Sequence, residues 1–88
     1  MRKEVSTLKS RKLALGNRNL IGARVTQARL EQGIKQVELL AKLQLAGVDI
    51  SVPALSLLEG QKRPVSDIEL NAIADALHVS VDWLLGRE

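Results

Sequence analysis

At 88 residues the chain has room for one small domain, and with no cysteine and a single aromatic, Trp83, its core is neither disulfide-stapled nor aromatic. The formal net charge of +3 hides an asymmetry: residues 1–18 carry six cations against Glu4, a net of +5, while residues 19–88 carry seven basic and nine acidic groups, a net of −2. No apolar run approaches the roughly 18 residues that span a bilayer, and no apolar stretch of roughly 7–15 residues follows the basic start as in a secretory signal. A cytoplasmic protein is expected.

Residues 1–18 have little patterning. Val5, Leu8, Leu13 and Leu15 are scattered and form no wide apolar face for a membrane surface. Gly16-Asn17 is a breaker signal. The segment reads as a flexible basic arm, either a nucleic-acid contact or a solvated tail. Residues 19–88 follow as the folded domain, large enough to hold together without a metal.

Five helices are expected there, making an all-α, compact five-helix bundle. Asn19 is a plausible cap for the first, at about 20–32, with Ile21, Val25 and Ala28 as its inner stripe, Leu20 at the edge and Gly33 as terminator. The second, at about 36–46, places Leu39, Leu40 and Leu43 inward and stops at Gly47. The third, at about 52–59, has Ser51 as N-cap, Pro53 in its first turn and a buried stripe of Leu55 and Leu58. Gly60, Lys62-Arg63 and Pro64 end it. Ser66 and Glu69 form a Ser-x-x-Glu capping box for the fourth helix, whose core face is Ile68, Leu70, Ile73, Ala74 and Leu77. A short fifth helix at about 81–85 is capped by Ser80 and closed by Gly86.

The ordered set of motifs resembles the Xre-like helix-turn-helix family, which includes phage repressors and Cro. The matching pieces are Ile21-Gly22-x-x-Val25-x-x-x-Arg29, Gln36-x-x-Leu39, Leu55-Ser56-x-Leu58-Glu59, Lys62-Arg63-Pro64 and Ile73-Ala74-x-Ala76-Leu77-x-Val79-Ser80-Val81-x-Trp83-Leu84-Leu85. They cover about residues 20–86. The resemblance implies a repressor-like bundle that presents its third helix to the DNA major groove. It implies a structural salt bridge between Arg29 and Glu59, phosphate contacts from Lys35, Gln36, Lys62 and Arg63, and an outward recognition surface of Val52, Pro53, Ala54, Ser56 and Leu57. It also implies a homodimer on two half-sites, and Trp83 either packs on the core or seals that dimer.

Three departures from the family pattern stand out. Lys35 replaces the usual Ser or Thr cap of the second helix. Gln44 to Ile50 make the second-to-third connection about five residues longer than the family's tight turn. Gln61 takes the place of the glycine expected before Lys62. The five outward positions also contain no Arg, Lys, Asn or Gln, the side chains that chiefly read bases in the major groove; only Ser56 can hydrogen-bond, and Val52, Ala54 and Leu57 are suited to thymine methyl groups.

The expected function is therefore a sequence-specific DNA-binding transcriptional regulator with double-stranded DNA as partner. The alternative is a protein–protein interaction module that reuses the fold with weak or no DNA specificity, because an apolar stripe also suits a protein partner. Enzymatic activity is not expected: there is one histidine, His78, no cysteine and no Gly-rich phosphate loop. His78 reads as a helix terminator that tolerates a left-handed conformation, not as a ligand, and neither a metal nor a cofactor is implied.

Overall fold

Each helix starts and stops for a local reason that is visible in the computed structural model, which describes residues 15–88. The described residues contain five helices and no strand: α1 Gly22–Glu31, α2 Gln36–Leu45, α3 Val52–Glu59, α4 Asp67–Leu77 and α5 Val81–Leu84. Ser51 Oγ accepts from the Ala54 N–H at 3.2 Å, and Pro53 lies in the first turn of α3 where a missing donor is tolerated. Ser66 Oγ accepts from Glu69 N–H at 3.1 Å while Glu69 Oε1 accepts from Ser66 N–H at 3.0 Å, the reciprocal cap of α4. Ser80 caps α5 through Trp83 N–H at 2.9 Å. Lys35 has no acceptor to offer α2; instead Glu38 Oε1 accepts from the Lys35 N–H at 2.7 Å, so only the backward half of a capping box exists. Helices α1 and α2 end at Gly33 (φ +70°) and Gly47 (φ +89°), in the left-handed region.

The core is aliphatic. Val25, Leu39, Leu43, Leu55, Leu58, Ile73, Leu77 and Leu84 are fully buried, one or two from each helix. Helix α3 packs on both α1 and α2, α4 packs on α1 and α2, and α5 packs on α4. Burying a leucine or isoleucine side chain contributes about 1.5–3 kcal/mol, so these residues dominate what holds five short helices together.

Three details differ from the sequence reading. Leu20, placed at the edge of its helix's inner stripe, and Ile68, assigned to the core face of its helix, are 74% and 71% exposed. Leu20 precedes α1, whereas Ile68 lies in the first turn of α4 on the side it shares with the exposed Asn71 and Asp75, off the stripe of Ile73 and Leu77. The long connection between α2 and α3 contributes to the core: Val48 and Ile50 are both buried, and the intervening Asp49 is exposed, an alternation typical of extended backbone. The extra residues are thus a packed strap between the helices.

The third difference concerns the arm. Its residues 1–14 lie outside the described residues. Its end does not behave as a free tail: Gly16 N–H donates to Gly60 O at 2.8 Å and Arg18 N–H to Gln61 O at 2.9 Å. Asn19 then bridges, with Nδ2 donating to Leu58 O at 3.1 Å and Arg63 O at 2.8 Å while Oδ1 accepts from the Ile21 and Gly22 N–H groups. Residues 16–19, although residues 16–18 are exposed, therefore fasten the start of α1 to the end of α3 by hydrogen bonds. The close approach continues at Gly22, where an added Cβ would lie 2.3 Å from Leu58 O.

Candidate functional site

The polar interior of the molecule converges on Glu59, the last residue of α3. Arg29 on α1 donates to it twice, Nε to Oε2 at 2.9 Å and Nη2 to Oε1 at 3.0 Å. Oε1 also accepts from Thr26 Oγ1 at 3.0 Å and Gln36 Nε2 at 3.1 Å. Arg29 Nη1 donates to Ile34 O at 2.9 Å, so the guanidinium is satisfied on a third side. The pair is buried, with side chains 10% and 6% exposed. A planar guanidinium suits this two-point grip better than an ammonium would. The arrangement ties α1, α2 and α3 to one carboxylate, and its chemistry is structural.

Gln36 is expected to touch a phosphate, yet its side chain is engaged internally. Its Nε2 donates to Glu59, and its Oε1 accepts from Ser56 Oγ at 3.3 Å. The positive end of α2 already carries the Glu38 carboxylate, so what this end offers an anion is the exposed Lys35 side chain.

Arg63 is also occupied. Its Nη2 and Nη1 donate to Glu69 at 3.1 and 3.3 Å, and the two side chains are 28% and 17% exposed. Burial alone would raise the Glu69 pKa from its ordinary 4.5, but bonds from the Ser66 backbone and Arg63, together with the Arg63 charge, outweigh it and lower the value. Lys62 is exposed. Of the four residues assigned to phosphate contacts, then, Lys35 and Lys62 present their side chains outward, whereas those of Gln36 and Arg63 are held by carboxylates of the same chain.

The turn carrying Lys62 is built on Gln61, whose φ is +60°. The left-handed backbone that a glycine would supply is thus retained by a glutamine. Its side chain compensates by donating from Nε2 to Asn19 O at 2.8 Å.

On α3, Val52, Pro53, Ser56 and Leu57 are exposed, while Leu55, Leu58 and Glu59 are buried. Ala54, assigned to the outward set, is half-buried against the core and belongs to the flank of the helix. Val52 and Leu57 are 39% and 48% exposed, and Val37 at the start of α2 is 56% exposed. The outer face is thus apolar, with one hydroxyl.

Away from α3, Trp83 is half-buried against the core, and the Arg24 guanidinium lies 5.1 Å from its ring centroid, within cation–π range. His78 closes α4 in the left-handed conformation, φ 57° and ψ 42°. An open groove of about 360 Å³ between α2 and α4 is lined by Lys42, Leu45, Ala46, Ala72, Asp75, Ala76 and His78. Among the described residues no three His, Cys, Asp or Glu side chains are grouped to hold a metal, and no helix is long and apolar enough to cross a membrane.

The cap expected at Asn19 is present, its Oδ1 accepting from Ile21 and Gly22 N–H; sequence reasoning did not find Thr26, the Asn19 bridge to Leu58 O and Arg63 O, or the inward role of Gln36. Thr26 had a signal, since it stands one helical turn before Arg29 on α1 and shares its face. The Asn19 bridge and the inward turn of Gln36 had none beyond their amide chemistry.

No family model matches this chain, and no match was found among curated proteins or solved structures.

Proposed function

We propose that the chain is a small double-stranded-DNA-binding transcriptional regulator of the Xre-like helix-turn-helix class, with α2 and α3 as its helix pair and α3 in the major groove. One observation carries the reading. Helix α3 is locked from behind by Leu55, Leu58 and Glu59, and its opposite side, Val52, Pro53, Ser56 and Leu57, is exposed. Exposed cations follow it at Lys62 and stand at Lys35, next to the Gln36 that touches Ser56. A rigid helix with a clear outer side and flanking cations is what groove insertion needs, with phosphates positioning and base edges specifying.

In this reading the Lys35 and Lys62 side chains grip the phosphates. Arg63 joins them only by exchanging Glu69 for a phosphate oxygen. The protein acts as a homodimer on two half-sites about one helical turn apart. Selection from a random duplex pool at two salt concentrations tests it: a recovered motif supports the reading, and no retention of duplex even at low salt refutes it. Lys62→Ala should weaken binding to all sequences and reduce the slope of log K against log salt by about 0.9.

A second reading is favoured by the exposed apolar pair Val52 and Leu57: α3 as the docking face of a protein-interaction module. Leu57→Lys separates the two. It should dissolve an assembly seen by size exclusion under the second reading, and leave or improve DNA affinity under the first.

A further inference from the structure

We propose that Ser56 is presented to the major groove as a hydrogen-bond acceptor, its polarity set by the buried Arg29–Glu59 pair through Gln36, and that α3 therefore reads the adenine amino group and thymine methyl group of A·T pairs. This rests on the duplex-binding reading of α3.

The direction of each bond is dictated by the group beside it. A carboxylate only accepts, and Glu59 Oε1 lies 3.1 Å from the Gln36 amide nitrogen. Reversing that amide would set its oxygen against the carboxylate, so the Gln36 NH₂ must face Glu59. Its Oε1 then faces Ser56 Oγ, 3.3 Å away, and the serine hydroxyl must donate inward. A hydroxyl has one hydrogen. With that hydrogen committed, what Ser56 offers outward is its lone pairs.

An acceptor discriminates among base edges. In the major groove guanine shows N7 and O6 and thymine shows O4, all acceptors, whereas adenine N6 and cytosine N4 carry hydrogens. Ser56 thus selects an exocyclic amino group. The neighbours choose between the two. Val52 stands one helical turn before Ser56 and Leu57 follows it; both are exposed and apolar. Thymine alone places a methyl group in the groove, so an A·T pair matches both features at once. No cation on this face, formed by Val52, Pro53, Ser56 and Leu57, offers guanine a donor.

The test begins with the duplex recovered by selection and replaces single bases with analogues. Removing the 6-amino group of one adenine, by substituting purine deoxyriboside, should weaken binding of the unaltered protein roughly three- to tenfold. It should have no effect on Ser56→Ala. Replacing the contacted thymine by deoxyuridine should weaken binding roughly fourfold per methyl removed. Gln36→Leu frees the hydroxyl to rotate, so the preference for adenine over guanine should fall while helicity by circular dichroism is retained. If Gln36→Leu does not fold, the Ser56→Ala comparison still decides. The proposal is overturned if selection recovers duplex without a motif, or if the amino-free duplex binds as tightly as its parent at every adenine. It is also overturned if Ser56→Ala remains sensitive to the analogue. Loss of all duplex binding at low salt would instead remove the DNA reading itself.

Discussion

Two arginine–glutamate forks flank the end of α3, and they resemble each other far more in geometry than in surroundings. In Arg29–Glu59 the donor–acceptor distances are 2.9 and 3.0 Å; in Arg63–Glu69 they are 3.1 and 3.3 Å. The first has side chains 10% and 6% exposed, and its carboxylate also receives Thr26 and Gln36. The second has side chains 28% and 17% exposed, and its carboxylate also closes the α4 cap. Removing one partner of the inner fork strands a charge in the interior. Removing one partner of the outer fork hands the other back to water. Burial, more than bond length, separates a lock from an accessory.

Truncation of the inner fork should have the largest effect. Arg29→Ala should destabilise the fold by about 3–5 kcal/mol in urea unfolding, with little dependence on salt. A loss below about 1 kcal/mol would mean that Thr26 and Gln36 satisfy Glu59 unaided, and would break the contrast.

Gly22→Ala tests whether the inner fork depends on how closely α1 approaches the end of α3. The new methyl would stand 2.3 Å from the Leu58 carbonyl oxygen, so the helices must separate. A loss of about 1–3 kcal/mol is expected by thermal or urea unfolding. Unchanged stability would show the junction to be slack.

Arg63→Ala should cost less than about 1 kcal/mol, and less still at high salt. Its pH dependence follows from Glu69, whose folded pKa is lowered from the ordinary 4.5. The unfolded state takes up the proton first as pH falls, so the contribution is complete above the ordinary value and is lost as pH drops through the folded one. The stability gap between the parent chain and Arg63→Ala should therefore be constant above about pH 6 and close in acid. A gap that widens below the ordinary value would reverse the assignment.

The smallest change is expected from Gln61→Gly. Glycine relieves a left-handed backbone by about 1 kcal/mol but forfeits the bond to Asn19 O, of similar size, and raises the entropy of the unfolded chain. The net should fall within about 0.5 kcal/mol of zero. A gain well beyond that would show that the Gln61–Asn19 contact contributes little to fastening the start of α1.

Much of the architecture was legible because its causes are local. Ser51, Ser66 and Ser80 sit where they accept from the first turns of α3, α4 and α5, and Gly33 and Gly47 adopt the positive φ their places demand. Leu39, Leu43, Leu55, Leu58, Ile73 and Leu77 fall on buried faces because helical spacing dictates it. Leu20 stands before α1, and Ile68 falls on the outer side of α4 with Asn71 and Asp75. Val48 and Ile50 were hidden because a connection longer than expected reads as loop, although their alternation about Asp49 was a sign of packed, extended chain.

The residue chemistry of the outer α3 face was likewise readable from the chain. Which polar groups remained available beside it was not. Gln36 and Asn19 meet partners 23 and 39 positions away, and Arg63 turns to Glu69. Helix limits, caps and the aliphatic stripe are properties of neighbouring residues and can be read along the chain. The direction of each long-range hydrogen bond, and hence which cations and amides still face outward, was decided only when α1, α2 and α3 closed around one carboxylate, because a donor's partner depends on what the packed interior brings within about 3 Å.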